Sequence, residues 1–562
     1  MGQASTSDEA DLHDESSRDG TRHSNRSIAL VPTAILLLGL FVQGAVMLSG
    51  ARRVWFWRDD WAFLRPRDRL GLWRTIVLNY NGHWSAVPWV WFRTMRHFFG
   101  IRHYLPYAVM PVLLQLLAFF LLYLLLRRTD IGRWAAMVSV LVTSFLAVGV
   151  GAENTLWLAT IGFLGSCAFG LLGVLLADLG GRWRWVAPIA LLLAVMCSNV
   201  GLIMIALAAS WGLIRLGLRT AVAIVVGPTV IYVAWFLRYA RIRPPAGSGR
   251  SWNSSPPVDW GHGTVRMATG IADVWSAAMR IPGVGPVVLV VLVIAVLLVR
   301  RDRALVALGA GGLLALVFGF ALFGFGKASP HTLPTQPRYE YVGVLVCGAA
   351  VGCLAQVVAT HGRRLPWACI PLGGIIVVLA GVVGLTQTVS AANALQPQTT
   401  ELRNRVIATS WLSAQGQTFL TDAVWPDPKI NHGVTVSMLN DPGMRSFVPN
   451  QRPPDRALLM TQAQVQVGVG ASAFKVPQTV CSRAGHGPVT IRTGAQGGQF
   501  RVRFSAASGI KSLRTRLISG ARRSAYTKWR VDARGTVYVG TSAPSVTLQV
   551  LLPRSGSVRC DR

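Results

Sequence analysis

A multispan α-helical membrane protein with about eleven crossings, followed by a β-sandwich-like domain outside the bilayer, is the fold class that three observations predict. First, 52% of the 562 residues are hydrophobic and 14% charged, whereas a soluble domain carries roughly 25% charged residues. Second, apolar runs recur from residue 28 to residue 388, separated by arginine-bearing connections. Third, the chain beyond that point breaks into short stretches that alternate apolar and polar residues between Gly, Pro and Asn, the period of β-strands.

The elements follow in order. Residues 1–26 are polar and mixed in charge, with Asp8, Glu9, Asp11, Asp14 and Glu15, and predict a disordered cytoplasmic tail rather than the basic start of a cleaved signal. The uncharged run 28–48 spans a hydrocarbon core, which takes about 20 helical residues. Further runs lie near 104–126, 134–152, 156–177, 185–198, 200–214, 221–239, 283–299, 304–325, 341–359 and 366–388. Two of them, on either side of Ser198 and Asn199, are short, and one bent span there would invert everything downstream. Arg127, Arg128, Arg133, Arg182, Arg184, Arg215, Arg219, Arg300, Arg301, Arg303, Arg363 and Arg364 fall on one side only if both segments cross or form a re-entrant pair. By the positive-inside rule that side is the cytoplasm. The chain is therefore expected in the cell membrane, N-terminus inside and C-terminal region outside. Arg52, Arg53, Arg58, Arg65, Arg67 and Arg69 in the first outer loop run against this, but long loops obey the rule poorly. "GAGG" at 309–312 lies inside a span and reads as close helix packing, not a phosphate cradle.

Residues 27–389 form the expected membrane domain, with the first outer loop at 49–103. Within that loop "RDRLGLWRTIVL" and "SAVPWVWFRTMRHFFG" read as amphipathic interfacial helices, and Trp55, Trp57, Trp61, Trp73, Trp84, Trp89 and Trp91 suit the headgroup layer. Residues 390–414 are a helical connector. Residues 415–562 are the β-rich outer domain, with strands expected at "TFLTDAV", "VTVSML", "QFRVRFSA", "TVYVGT" and "SVTLQVLL". Cys167, Cys197, Cys347, Cys353 and Cys369 sit in apolar runs as packing residues. Cys481 and Cys560 alone occupy the outer region, where a disulfide is permitted, and are expected to pair, two free thiols being the alternative.

The formal charge of +32 needs no nucleic acid, because cytoplasmic loops and interfacial arginines account for much of it. Residues 390–562 carry 22 Lys and Arg against 7 Asp and Glu, which favours anionic lipid heads or an acidic envelope polymer as neighbours, or simply a solvated basic surface.

No HExxH, Walker loop, CxxC pair or GxSxG elbow is present, so ATP-driven and zinc chemistry find no support. The chemistry-bearing residues are Asp59 and Asp60 in "WRDDWAFL", His83 in "NGHWSAVPW", Glu153 with Asn154, and Lys327, His331, Arg338, Tyr339 and Glu340 in "GKASPHTLPTQPRYEY". All lie on the expected outer side. Each also has a plainer role. The aspartate pair can cap a helix or pair with Arg58 and Arg65. Glu153 can cap a helix, His83 can pack at the interface, and Arg338 can anchor a span through headgroup phosphates.

An aspartate-bearing first outer loop of interfacial helices, short central spans and a β-rich outer C-terminus resemble the membrane glycosyltransferases of the GT-C fold. In layout the nearest group is the actinobacterial cell-envelope arabinofuranosyl- and mannosyltransferases. The residue-level match is "DDW" and, more loosely, "RYEY". The resemblance implies a polyprenyl-phosphate sugar donor and an envelope glycan or glycolipid acceptor, with transfer by inversion. It also implies a first-loop aspartate as general base, which maps onto Asp59 or Asp60, with Asp59 preferred. Arg338, Lys327 or His331 would hold the leaving phosphate, and His83, Glu153, Asn154 and Tyr339 would bind substrate. No cofactor is expected, and a divalent metal is left open. Rival functions are a ligase that moves a whole lipid-linked glycan, a transporter or flippase, and an inactive glycan-binding member. Acidic residues grouped at the outer boundary, not at mid-membrane, favour an enzyme over a transporter.

Overall fold

The computed structural model describes residues 8–64, 71–80, 82–240, 260–326, 335–361, 366–414, 439 and 452–465, and strand segments between 467 and 558. The chain divides into two compact units. One comprises Met1–Ala51, Arg74–Pro88 and Tyr107–Asn393; the other comprises Arg52–Trp73, Trp89–Pro106 and Ala394–Arg562. Residues 74–88 of the first loop fall in the first unit, and residues 52–73 and 89–106 in the second.

Numbered in chain order, α1 (Asp8–Ala51) precedes three loop helices, α2 (Asp60–Leu64), α3 (Gly71–Val77) and α4 (Ala86–Phe99). Then come α5 (Leu105–Leu126), α6 (Arg133–Val150), α7 (Ala152–Leu156), α8 (Ile161–Leu179), α9 (Trp183–Cys197), α10 (Val200–Arg215) and α11 (Leu218–Trp235), the last running into a π turn at Phe236–Ala240. After these come α12 (Trp260–Met279), α13 (Gly285–Leu298), α14 (Arg303–Gly326), α15 (Pro337–Val346), α16 (Gly348–His361) and α17 (Pro366–Ala414). Helix α1 starts well before the apolar run, where the sequence suggested a disordered tail.

Among the described residues, seven helices are long and apolar enough to cross a membrane, and α15 with α16, bent by 45°, makes up to eight. The remaining apolar runs form the shorter helices α9, α10 and α13. The protein is a multi-pass membrane protein. Large apolar side chains such as Phe41, Val230, Val287, Leu297 and Val378 stand exposed on α1, α11, α13 and α17, a surface suited to lipid rather than water.

Polar contacts sort the first unit into two ends. At one end Asp178, closing α8, pairs with Arg128 and lies 3.8 Å from Arg215, the last residue of α10. There Asp302 accepts the Leu305 N–H through Oδ1 and the Asp130 N–H through Oδ2, each at 2.9 Å. At the opposite end the start of α8 meets the break between α9 and α10, where Ser166 Oγ donates to Ala194 O at 2.8 Å. The arginine-rich connections 127–133 and 300–303 therefore share the end that holds Arg215, while Ser198 and Asn199 belong to the other.

"GAGG" lies on α14 against four neighbours, α10, α13, α15 and α16. A Cβ at Gly309 would press on Val296 and Cys353 at 2.9 Å, one at Gly311 would reach Trp211 N at 3.4 Å, and one at Gly312 would strike the Val346 carbonyl. The close approach of α14 to α13 and α16 at Gly309 and to α15 at Gly312 therefore depends on glycine, while at Gly311 a Cβ would meet α10 at ordinary contact distance.

In the second unit α2 and α4 share an aromatic core. Trp61 is fully buried, edge-on to Trp55 at 5.3 Å and to Phe56 at 6.1 Å, while Phe63 meets Trp89 at 4.6 Å and Phe92 at 5.1 Å. This corrects the headgroup assignment for Trp55, Trp61 and Trp89, which are protein core, and for Trp84, which stacks on Trp235 in the first unit. An amphipathic ring satisfies either environment. Trp73, by contrast, is exposed on α3.

The last turns of α17 pack through Trp411 and Leu412 on Leu458 of α18 (Asp455–Val465). Among the described residues nine strands follow, β3 (Val467–Gly470) to β11 (Gly556–Val558), in two antiparallel sheets. One has β10 (Thr547–Leu551) between β4 (Pro488–Arg492) and β6 (Lys511–Ser519), with β7 (Arg522–Arg523) and β8 (Thr527–Val531) also on β6. The other runs β11, β5 (Gly498–Phe504), β9 (Thr536–Thr541), β3. Leu548 opposite Leu517 is buried, whereas the neighbouring Gln549 accepts from Arg516 Nε at 2.6 Å, so alternate residues face opposite ways. Cys481, Cys560, "TFLTDAV" and nearly all of "VTVSML" lie outside the described residues.

Candidate functional site

Two clusters contain the residues singled out by sequence, one in each unit. The larger, in the first unit, forms at the end of the bundle away from Asp178. Helix α6 ends at Gly151, where a Cβ would collide with the Tyr341 ring, and the single turn α7 then presents Glu153 and Asn154. Opposite them α15 begins at Pro337, whose fixed φ suits a first helical position. Arg338 and Tyr339 follow in that first turn.

Arg338 Nη1 lies 3.4 Å from Glu153 Oε1, with the two side chains 18% and 22% exposed. At this burial the pair is shielded enough to hold orientation while staying accessible. The guanidinium stands 5.1 Å from the Tyr339 ring and 5.7 Å from that of Trp157, so aromatic faces support the cation from below. Tyr339 is itself stacked, 4.1 Å from Phe323 on α14 and 5.9 Å from Phe163 on α8. Asn154 Nδ2 donates to Arg338 O at 3.4 Å. Asn154 Oδ1 and Gln336 Oε1 are buried and accept no hydrogen bond among the described residues. Orphaned acceptors beside an accessible cation mark a place suited to a polar ligand.

His83 joins the cluster through Phe163, 6.3 Å away. It sits on a hairpin, β1 (Asn79–Tyr80) against β2 (His83–Trp84), with Gly82 at φ +81 in the turn. The hairpin is pinned from several sides. Asn199 donates its backbone N–H to His83 Nδ1 at 3.4 Å and its Nδ2 to Gly82 O at 3.2 Å, while Tyr232 Oη donates to Asn199 Oδ1 at 2.9 Å. Asn79 Nδ2 donates to Ala240 O at 3.0 Å, and Trp235 Nε1 to Val77 O at 2.9 Å. Sequence reasoning missed the hairpin, Asn199 as its clamp, and Tyr232. The Asn-Gly dipeptide at 81–82, a strong hairpin signal, was the clue available. It also missed α12, which packs on α14 and α15 and brings Asp273 into hydrogen-bonding contact with the buried Glu340.

The second cluster is the Asp59–Asp60 turn. Asp60 is fully buried and its Oδ2 accepts the N–H of Trp57, three residues earlier, at 2.9 Å, which ties together the turn that leads into α2. Asp59 is half-buried. Arg58, immediately before it, has φ 45, in the left-handed region that a non-glycine residue occupies at some energetic cost. Its guanidinium lies 4.0 Å from the Trp57 ring. The turn is thus held on both sides of Asp59.

Lys327 and His331 lie outside the described residues. Among the described residues no three His, Cys, Asp or Glu side chains converge as a metal set would.

No family model matches the chain, and no curated protein matches it. Among solved structures it is similar to the crystal structure of ArnT from Cupriavidus metallidurans in the apo state, 14% identical, over 74% of this chain and 84% of that one, with a TM-score of 0.44. A likeness of that size leaves the functional reading to the residues.

Proposed function

We propose that the protein is a membrane glycosyltransferase that moves a sugar, with inversion, from a polyprenyl-phosphate donor to an envelope glycan or glycolipid at the outer face of the cell membrane. The observation that carries this is the Arg338–Glu153 pair above the Tyr339 and Trp157 rings, an oriented and accessible cation at one end of an apolar helix bundle. A lipid-tethered phosphate demands such a cation at bilayer-boundary depth. Arginine is suited to it because its planar fork offers five N–H donors, of which Glu153 engages Nη1.

Chemically, a carboxylate takes the proton of the acceptor hydroxyl as that oxygen bonds to the anomeric carbon. The bond from that carbon to the phosphate oxygen breaks, and its electron pair leaves with the lipid phosphate. We assign the base role to Asp59, with Asp60 as the residue that holds the turn, and the phosphate role to Arg338, joined by Lys327 and His331. His83, Asn154 and Tyr339 bind substrate, and Cys481 and Cys560 close a disulfide in an outer β-sandwich.

Support for an outer-face site comes from the two ends of the bundle. Loop arginines that the positive-inside rule assigns to the cytoplasm lie at the end opposite Arg338. A cysteine at Ile281, exposed in the connection that joins α12 to α13, is expected to react with a membrane-impermeant thiol reagent in intact cells above the background of the unmodified chain. One at Arg301 is expected to react only after lysis. Labelling of Arg301→Cys alone in intact cells inverts the orientation.

The deciding assay supplies purified protein in nanodiscs with a panel of polyprenyl-monophosphate sugars and envelope-glycan acceptors, and follows product by mass spectrometry. Turnover with a monophosphate donor is the expected result. Turnover with diphosphate-linked glycans instead makes the protein a ligase, and no turnover with either donor class, together with donor movement across vesicles, makes it a flippase.

A further inference from the structure

A cavity of about 540 Å³ opens in the second unit between the end of α17 and the start of α18. Gln396, Thr400, Glu401, Asn404 and Arg405 line one side, related by the spacings of three and four residues that place side chains on one helix face. Arg456, in the first turn of α18, lines the other. The contact of Trp411 and Leu412 with Leu458 holds the two helices together beside it, so the walls are set before any ligand enters.

The lining chooses the chemistry. A volume of this size falls within the roughly 300 to 1,000 Å³ of small-molecule sites, far more than a bare inorganic anion fills. Among the described residues, no aromatic ring lines it to stack on a nucleobase, and no long aliphatic side chain lines it to cover an acyl tail. Beside the apolar surfaces of Pro397, Pro454 and Ala457, the described lining offers guanidinium, amide, hydroxyl and carboxylate groups. The Arg405 side chain is 7% exposed and its Nη2 lies 2.8 Å from Glu401 Oε1, which fixes the direction of the guanidinium and offsets one positive charge. Arg456 is exposed and supplies the second. One net cation, two amides, a hydroxyl and a carboxylate that accepts hydrogen bonds match a ligand with one oxyanion and several hydroxyls.

We infer that this cavity binds a sugar that carries a single phosphate or carboxylate, a ligand site separate from the residues assigned to transfer. It uses none of Asp59, Glu153 or Arg338, so its truth does not depend on the proposed reaction. The test is calorimetric titration of the full-length protein in detergent with glucose 6-phosphate, glucuronate, glucose and inorganic phosphate. At least one of the two charged sugars is expected to bind, and the phosphate and carboxylate arms identify which oxyanion is read. Glucose and inorganic phosphate should each bind at least about tenfold more weakly, since each lacks half of the complement. Arg456→Ala and Asn404→Ala, both at the cavity wall, should each weaken the charged sugar by about tenfold while leaving the thermal unfolding profile in place. The inference is overturned if neither charged sugar binds, if inorganic phosphate binds as tightly as the sugar, or if both variants bind like wild type.

Discussion

Asp59→Asn is expected to lower kcat by about 10² to 10⁴, the usual loss when a general base is removed, with little change in donor binding. The turn around it sets this expectation. Asp60 is buried and its Oδ2 is committed to the Trp57 N–H at 2.9 Å, whereas Asp59 is half-buried, between that locked residue and the left-handed Arg58. Asparagine keeps the size of the side chain and an acceptor oxygen but cannot take a proton. Asp60→Asn retains an oxygen for Trp57 and should therefore cost much less activity. Asp60→Ala leaves a part-buried donor without that partner, at no more than about 1 to 3 kcal/mol, and should appear as a lower melting temperature rather than a selective loss of kcat. Steady-state kinetics on folded protein, with unfolding curves for each variant, separates these outcomes. If Asp60→Asn is the inactive one, the roles are exchanged; if both asparagine variants keep full kcat, the pair is only a helix cap.

The helix bundle was legible because spanning a bilayer imposes length and apolarity on each segment, and both are written locally in the sequence. Helix α12 escaped because Arg266, His262 and Asp273 interrupt its apolar face, so it resembles a polar loop in hydropathy while burying Val274, Trp275 and Ala278. The tryptophans of the first loop were misplaced for a related reason. Trp61 and Trp73 are alike in sequence context, yet one is fully buried and the other 69% exposed. Only the fold distinguishes a ring packed on Trp55 from one facing outward.

The candidate residues were legible one by one and not as a set. Glu153 and Arg338 were singled out separately, and their pairing across 185 positions lies beyond any local pattern. The glycines at 309–312 were the opposite case, since three small residues within one apolar run already announce close helix contact, and α14 touches neighbours at each of them.

Arg338→Ala is expected to raise the donor KM far more than it lowers kcat, because a cation that holds the lipid phosphate acts in the ground state and the transition state alike. Charged hydrogen bonds contribute about 1.5 to 3 kcal/mol, so the expected rise is roughly 10- to 150-fold in KM. Arg338→Lys should recover only part of it: lysine restores charge but not the planar fork, and it loses much of the contact with the Tyr339 and Trp157 faces. Glu153→Gln is the discriminating partner. If Glu153 serves mainly to orient the guanidinium, its loss should raise KM modestly in an otherwise wild-type chain and do almost nothing in the Arg338→Ala background, a non-additivity that a double-mutant cycle reads directly. If Glu153 instead touches substrate by itself, the two effects should add. A donor KM unchanged in Arg338→Ala would remove the phosphate role, and with it the observation on which the transferase assignment most depends.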